Sequence, residues 1–522
     1  MPPVMKTPGV YIVEKNAFPN SIVEVATAVP AFVGYTQKAD NNRHTLTDKP
    51  WRITSLAEFH QYFGLGPTAA NVTRFKLRKA QGNAAASPVI SLAARDAAPI
   101  TLGGTAYQLT QTKGFYLLYF SLLTFFQNGG GPCYIVSVGS YDAAAGTHIE
   151  KEKLIDGIRT LAGEQEPTML VVPDAVLLDH NDCIAVQKEA LHHCGNVMKN
   201  RIAILDIWQG YRDRHSAPDC VAAFREDIGA EGLSYGSAYY PWLNTNVVAE
   251  AELNCTQIES DSQDLLIEGI KAEFAAMSLP AAKLTEMSKL AEQIKLANSV
   301  SLEEAALLTK KLRTVSPFFT SIMAEMRKRL NLLPPGAAMA GIFTMVDNSR
   351  GVWKAPANVS VNGVINVCVP ISHEQQDDLN VTPQGKSINA IRDFVGEGVL
   401  VWGARTLDGN SLDYRYINVR RTLIMLEESI RLAAKAMVFE PNTADTWATI
   451  KSMIVNFLTG IWKRGGLAGS KPEDAFNVLA GLGVTMTQQD ILDGLLRVTV
   501  LVALSRPAEF IEITFEQKMQ TS

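Results

Sequence analysis

The central part of the chain alternates apolar, strand-like runs with helical patterns. Residues 168–175 form a first apolar run, 180–198 have helical spacing, and 201–208 form a second apolar run. A further helical pattern at 217–229 and a short strand pattern at 237–242 continue the alternation. Alternation of strands and helices favours βαβ units, so we predict a parallel sheet with helices packed on it.

Between residues 244 and 333 the pattern becomes purely helical. Apolar residues recur three and four positions apart, while charged residues occupy the positions between them. Ser301 and Glu304 have the spacing of a capping box at a helix start. The segment ends at 334–336, which reads Pro-Pro-Gly. These features predict an inserted helical module.

Both ends of the chain carry strand signals. Residues 10–14 read VYIVE after a Pro-Gly turn, and 22–33 are rich in β-branched residues. Near the other end, 509–517 alternate apolar and polar side chains with a period of two, which is typical of a strand with one buried face.

Further local patterns predict the elements in between. A helix at 55–63 has Ser55 as a plausible N-cap with Glu58 completing a capping box. Residues 490–502 fit a helix or a strand equally well. The remaining expectations are helices at 114–127, 420–438 and around 447–461, strands at 133–138 and within 388–401, and a loop at 83–98.

Composition limits the classes of function. Of 522 residues, 47% are apolar and only 19% are charged, below the usual share of about 25%, so other subunits could cover much of the surface. The net charge of −5 argues against a general nucleic-acid binder. Six widely spaced cysteines indicate free thiols in a reducing cytoplasm. We find no secretory signal, and the apolar stretch 115–126 is too short to span a membrane.

Motifs for catalysis, cofactors and metals are weak. The glycine-rich segments 64–70 and 466–472 depart from the dinucleotide and phosphate-loop patterns at required positions. Two of the cysteines in the densest group of metal-capable residues are 11 positions apart, about three helical turns, so ordinary helix residues are favoured over a metal site. The metal-capable residues of this group are His180, Cys183, His192, His193 and Cys194. We therefore predict no catalytic residue, no cofactor and no metal.

Several sequence blocks, taken together, resemble the contractile tail sheath proteins of contractile phages, R-type bacteriocins and phage-tail-like extracellular injection systems. The opening TPGVYIVE (7–14) and the segment 22–36 carry the resemblance first. The blocks RGVWKAPAN (350–358) and GVLVWGARTL (398–407) are the most specific. Other blocks follow in the family's order: 125–138, 170–175, 239–243, 416–421, 439–442 and 506–511. The helical module departs from the usual pattern, which has a shorter connection there.

The resemblance implies a multidomain α/β (α+β) fold whose sheath core is built from the N- and C-terminal parts of the chain. An outer α/β domain and the helical insertion would lie between these parts. The expected division is an N-terminal arm with the first core strands (1–36), an outer inserted region (37–167), an outer α/β domain (168–243 with 334–370), the helical insertion (244–333) and the C-terminal core with its arm (371–522).

The same resemblance implies a structural subunit rather than an enzyme. Such subunits form stacked six-membered rings around an inner tube and contract to drive that tube through an envelope. The expected partners are other copies of the chain, the tube protein, and baseplate and terminator or cap proteins, with no nucleic acid and no membrane insertion. The expected location is a particle assembled in the bacterial cytoplasm, with a preference for an extracellular injection system over a phage virion. A cytoplasmic α/β enzyme is a distant alternative.

Two groups of residues are candidates for contacts between chains. The terminal strands would be donated to neighbouring subunits as extra strands, although both could also be strands within their own domain. The arm residues are Val10, Tyr11, Ile12, Val13, Ile511, Ile513 and Phe515. The candidate contacts to the tube are Lys451, Lys463 and Arg464, with Arg420, Arg421 and Glu428 less favoured and ordinary solvated charge as the alternative.

Overall fold

The computed structural model describes residues 22–68, 72–79, 100–141 and 149–512, which fall into two units. The smaller unit contains Thr422–Ser505 with the described residues that precede Ala26. The larger unit contains Ala26–Arg421 with the described residues from Arg506 onward.

The strands are short and most of them belong to the larger unit. In chain order they are β1 (Pro30–Thr36), β2 (Asp40–Asn41), β3 (His44–Thr45), β4 (Trp51–Ile53), β5 (Arg74–Lys79), β6 (Ile100–Leu102), β7 (Thr105–Lys113), β8 (Cys133–Ser140), β9 (Met169–Val171), β10 (Ile202–Asp206), β11 (Gly236–Tyr240), β12 (Leu243–Thr245), β13 (Leu332–Leu333), β14 (Val359–Ser360), β15 (Val364–Val367), β16 (Asn389–Phe394), β17 (Gly398–Val401), β18 (Phe476–Ala480) and β19 (Val498–Val502).

The helices are longer and concentrate after residue 180. They are α1 (Leu56–Phe63), α2 (Leu118–Gln127), α3 (Lys151–Thr160), α4 (His180–His192), α5 (Cys220–Asp227), α6 (Ser260–Ala276), α7 (Ala281–Glu292), α8 (Leu302–Val315), α9 (Pro317–Leu330), α10 (Gly336–Arg350), α11 (His373–Asn380), α12 (Ile417–Ala434), α13 (Ala444–Lys463), α14 (Pro472–Ala475) and α15 (Gln488–Leu492).

A mixed sheet organises the larger unit, with the strand order β14-β17-β16-β11-β10-β9-β1-β8-β4. The pairs from β16 through β8 are parallel, and antiparallel strands flank them. Strand β1 lies between β8 and β9, and all of its residues are buried. Parallel strands covered on both faces need continuous apolar runs, which explains the sequence PAFVGYT.

Asp174 connects three elements near the end of β9. Its carboxylate accepts hydrogen bonds from the backbone N–H groups of Tyr35 (2.8 Å), Leu117 (2.7 Å) and Leu118 (3.2 Å). Burial raises the pKa of Asp174 to about 6, although these three hydrogen bonds oppose the shift. A Cβ atom at Gly34 would lie 2.5 Å from the Asp174 carboxylate, so close packing of β1 requires glycine there.

Asp206 makes a similar connection at the end of β10. Its Oδ1 atom accepts a hydrogen bond of 2.7 Å from the N–H of Gly336, the first residue of α10. Burial raises the pKa of Asp206 to about 7, against the single opposing hydrogen bond. The carboxylate therefore fixes the start of α10 relative to the sheet, but its ionised form is poorly solvated.

The segment 244–333 contains the predicted helices, α6 to α9, but its two ends lie in the short strands β12 and β13. Ser301 and Glu304 form the predicted capping box of α8. Buried Glu273 on α6 accepts hydrogen bonds from Phe318 N–H (2.9 Å) and from the hydroxyl of Ser316, and so fixes the start of α9. Small sheets, ordered β5-β7-β6 and β13-β12-β15, belong to the same unit.

The smaller unit contains α13 and a small sheet. In the described part of the chain, this sheet consists of β18 and β19, which pair with each other. Helix α13 buries one apolar face and packs against β18. The buried residues of that face are Ile450, Met453, Ile454, Leu458 and Ile461.

Most predicted elements are confirmed, and the parallel sheet among them has the predicted strands β9, β10 and β11. The ambiguous segment 490–502 contains both alternatives, since α15 ends at Leu492 and β19 begins at Val498. Ser55 caps α1 as predicted. The Glu58 carboxylate, however, accepts a hydrogen bond from the N–H of Thr54 instead of from the N–H of Ser55.

Three predicted boundaries are wrong. Residues 22–29 are irregular, and the strand begins at Pro30, a residue that tolerates the first position of a strand because it has no N–H to pair. Helix α2 begins at Leu118 rather than 114, because Asp174 binds the preceding chain. Residues 509–512 are not in a strand, while 10–14, 83–98 and 513–517 lie outside the described residues.

The predicted division into domains stays a prediction. The main sheet combines strands from four of the five predicted segments, and the two units divide the chain at 25/26, 421/422 and 505/506. Strand order places distant segments side by side in a way that the linear pattern does not specify.

The pKa of Asp206 predicts how the stability of the fold depends on pH. Between its usual value of 3.8 and about 7, folded Asp206 retains a proton that the unfolded chain releases, so stability is lost as the pH rises through this window. Asp206→Asn cannot ionise and retains the acceptor for Gly336. We expect thermal unfolding of the variant to depend less on pH between about 5 and 8, and to occur at a higher temperature than in the unaltered protein at about pH 8.

The control for this measurement is Asp393→Asn, which removes an exposed carboxylate from β16. This variant should show the pH dependence of the unaltered protein. An identical pH dependence in Asp206→Asn would contradict the assignment of Asp206 as a buried titrating group.

Candidate functional site

The described C-terminal residues are anchored to the larger unit through Glu509. Arg405 donates to its carboxylate from both Nε (3.0 and 3.2 Å) and Nη2 (2.6 Å). The Tyr416 hydroxyl (3.1 Å) and the Asn380 amide (2.8 Å) donate to the same carboxylate. Such charge-assisted, multiply hydrogen-bonded pairs are among the stronger polar contacts in proteins.

The electrostatics of this anchor keep Glu509 ionised. Burial alone would raise the pKa of Glu509, but the hydrogen bonds from Arg405, Asn380 and Tyr416 outweigh it and hold the pKa below its usual value. The Arg405 side chain is only 4% exposed, so removal of its carboxylate partner would leave a buried charge unpaired.

Immediately after this anchor the chain presents apolar side chains to solvent. Phe510 is 75% exposed and Ile511 is 78% exposed. Of the predicted arm residues, Ile511 is therefore described and uncovered, while the others lie outside the described residues. Those others are Val10, Tyr11, Ile12, Val13, Ile513 and Phe515.

The sheet of the smaller unit has free strand edges. Within the described ranges, β18 pairs only with β19, in an antiparallel register from Phe476 opposite Val502 to Ala480 opposite Val498. Each strand thus has one edge without a neighbouring strand. A two-stranded sheet is marginally stable by itself, and an open edge is a template for an added strand.

The predicted tube contacts lie in the smaller unit, on or directly after α13. Lys451 and Lys463 are exposed and form no ion pair with any residue that the structure describes. Arg464 is also exposed, but it forms an ion pair with Glu24. The two lysines are thus available for a partner, whereas contact through Arg464 would compete with its existing pair.

The less favoured candidates Arg420 and Arg421 are buried, which removes them from the surface. Arg421 pairs with Asp347 at 2.6 Å, and both side chains are almost fully buried. The guanidinium of Arg420 lies 3.6 Å from the ring centre of Tyr414 and 4.3 Å from that of Tyr235. Both arginines therefore stabilise the fold, since a cation over an aromatic face and a buried ion pair each lose much if one member is removed.

Glu428, the remaining less favoured candidate, is bound by Arg431 one turn further along α12. The arginine donates to the Glu428 carboxylate at 2.6 Å. A pair of this spacing on a helix surface is an ordinary stabilising contact.

The chain is similar to known proteins in both sequence and structure. A model of the phage tail sheath C-terminal domain matches residues 410–518. Over 99% of the chain, the structure is similar to the sheath complex of an extracellular contractile injection system, PVC, in its contracted state (27% identity, 99% of that chain, TM-score 0.57). The contracted helical sheath of the anti-feeding prophage matches equally well (26% identity, 100% of that chain, TM-score 0.57).

These similarities support a contractile tail sheath family for this chain. Curated relatives include the tail sheath protein of Vibrio phage KVP40 (30% identical over 138 residues, 26% of this chain) and that of Enterobacteria phage T4 (28% identical over 138 residues). These matches span about a fifth of the length of either phage protein (20%).

Histidines of the metal-capable group have other contacts in the structure. His180 pairs with Asp227 at 2.7 Å, and burial together with nearby Arg201 lowers the pKa of His193 to about 4. Burial raises the pKa of the Cys183 thiol far above its usual value. Among the residues described, no three His, Cys, Asp or Glu side chains are grouped so that they could hold a metal ion. None of the described helices combines the length and the apolar character that crossing a membrane requires.

Sequence reasoning missed Glu509 and Arg405 as a pair. Both lie in blocks that carried the family resemblance, 506–511 and 398–407. Their separation of 104 residues gives no local pattern that would link them. The open-edged sheet was also missed, because 490–502 fitted two kinds of element.

Replacement of Glu509 tests the anchor directly. Glu509→Gln retains the shape of the side chain but leaves Arg405 without a carboxylate. We expect chymotrypsin to cleave after Phe510 roughly tenfold faster, because losing a charge-assisted hydrogen bond of about 1.5 kcal/mol eases local release of the segment.

The matched control is Glu512→Gln, three residues further along and exposed. Mass spectrometry of the fragments should give the same cleavage rate for this control and for the unaltered chain. Equal rates for Glu509→Gln would mean that the carboxylate does not anchor the segment.

Proposed function

We propose that this chain is the sheath subunit of a contractile tail or injection machine. The observation that supports this most strongly is the structural similarity to two contracted sheaths over 99% of the chain. In this proposal, copies polymerise as stacked six-membered rings around an inner tube and end on baseplate and terminator or cap proteins. The subunit stores mechanical work and has no catalytic role.

We further propose that the chain termini join neighbouring copies by β-strand addition. The C-terminal segment is held by Glu509, and the apolar side chains that follow it are exposed. Strands β18 and β19 each have an open edge to which another copy could add a strand. Each added backbone hydrogen bond contributes about 0.5–1.5 kcal/mol, and each fully buried Ile or Phe about 1.5–3 kcal/mol. A donated strand could thus hold subunits together while the rest of each subunit changes its packing.

The preferred setting is an extracellular injection particle. The support for this preference is the structural similarity to injection-system sheaths over nearly the whole chain. A phage virion is the alternative. Electron microscopy of particles from producing cells separates the two, since only a virion carries a head.

Deletion of either terminal arm should abolish polymerisation. Removal of residues 1–14, or of 513–522 with Glu509 retained, takes away a donated strand and leaves the fold of each unit unchanged. We expect monomers with the unfolding temperature of the intact chain and no sleeves by negative-stain electron microscopy. Normal sleeves from both truncations would refute strand exchange.

Charge reversal on α13 tests contact with the tube. Arg464 is left unchanged in this test because it already pairs with Glu24. Lys451→Glu with Lys463→Glu changes only the lysines that have no such pair. We expect sheaths that form already contracted or without a tube, because an extended sleeve depends on contacts to the tube.

The control for this experiment is Lys471→Glu, an exposed lysine of the same unit outside α13. It should give normal extended particles on electron microscopy grids. Extended, tube-filled particles from the double variant as well would remove Lys451 and Lys463 from the tube interface.

A further inference from the structure

A cavity of about 340 Å³ opens in the helical segment of the larger unit. One wall is a stripe of α9 that includes Met323, Ala324, Arg327 and Lys328. Met323 and Arg327 are four residues apart, as are Ala324 and Lys328, so each pair lies on neighbouring turns of the helix. The volume is at the lower end of the range for ligand-binding pockets in proteins.

Another part of the lining comes from the small sheet β13-β12-β15. It includes Asn244 of β12 and Ile365 of β15. Ile365 is 64% exposed, whereas Met323 is fully buried. The cavity surface is mainly apolar, so burial of an aliphatic side chain there would be favourable.

The rim of the cavity is positively charged. Arg313 is already neutralised by an ion pair with Glu250. Arg327 donates from Nε to the carbonyl oxygen of Val248 at 3.1 Å, and neither it nor exposed Lys328 has a carboxylate partner within the described chain. Two positive charges therefore remain available in a molecule whose net charge is −5.

One of the residues that line the cavity also carries a buried polar atom without a described partner. The amide nitrogen of Asn244 donates to Asn366 Oδ1 at 2.7 Å. The Oδ1 atom of Asn244 is buried and accepts no hydrogen bond from any described residue. Buried acceptors are nearly always satisfied, so a donor from a ligand fits this position.

We propose that this cavity binds an acidic, aliphatic peptide segment of another protein. An aliphatic side chain of the peptide lies between Ala324 and Ile365. An adjacent Asp or Glu carboxylate pairs with Arg327 and Lys328, and a peptide N–H donates to Asn244 Oδ1. A peptide supplies all three groups within a few residues.

Other ligand classes fit the cavity less well. A nucleic-acid strand needs a longer basic track and aromatic stacking platforms, whereas the cavity has two available cations beside an aliphatic floor. A fully apolar ligand would leave these cations and the Asn244 acceptor unpaired. The proposal does not depend on the sheath function, because the residues concerned belong to one unit of one chain.

The test measures binding of a labelled peptide to the full-length chain before assembly. The probe is fluorescein-labelled Leu-Asp-Leu-Glu-Leu amide, and its matched control has Asn and Gln in place of Asp and Glu. Fluorescence anisotropy should give a dissociation constant at least about tenfold lower for the acidic peptide, because only its carboxylates can pair with the cationic rim. Equal affinities, or no binding of either peptide, would overturn the proposal.

Variants of the chain locate the binding. Arg327→Glu with Lys328→Glu should abolish the preference for the acidic peptide, and Ala324→Trp should block both peptides by filling the cavity. The control Lys310→Glu with Lys311→Glu reverses the same number of exposed charges on α8, away from the cavity lining, and should bind as the unaltered chain does. A preference for the acidic peptide that persists in the Arg327/Lys328 variant would contradict the assignment, provided that thermal unfolding shows the variant folded.

Discussion

The hydrogen-bonding requirement of an open strand edge is the constraint on which this account depends. Strands β18 and β19 pair with each other, and in the described part of the chain no third strand joins them. Helix α13 covers β18, but a helix cannot satisfy the backbone groups at a strand edge. Those groups can hydrogen-bond to water in an isolated subunit. In the proposed polymer, added strands would satisfy them, which would couple completion of the sheet to assembly.

Buried carboxylates hold elements of the larger unit together. Asp174 and Asp206 each fix the start of a helix relative to the main sheet, and Asp347 neutralises buried Arg421. Glu509 extends the same principle to the described end of the chain, where it binds Arg405. A force applied to the C-terminal segment would therefore be transmitted to the larger unit and would not only unfold the end of the chain.

Local patterns in the sequence predicted much of the fold. The capping box at Ser301 and the periodicity of 244–333 depend on neighbours three or four residues apart, so they are visible in a linear sequence. The place of β1 between β8 and β9 depends on segments about one hundred residues away, and no local pattern specifies it. Arg421 could not be recognised as buried because its partner Asp347 lies 74 residues earlier. The same holds for the candidate interface. The apolar residues after position 509 could be recognised from the sequence, but the ion pair between Glu509 and Arg405 could not.

Strand exchange between copies can be seen in a high-resolution cryo-electron microscopy map of the assembled polymer. We expect segments from other copies to add to the open edges of β18 and β19, so that each such sheet contains strands of more than one chain. A map in which both termini pair only within their own chain, with no sheet shared between copies, would contradict this expectation.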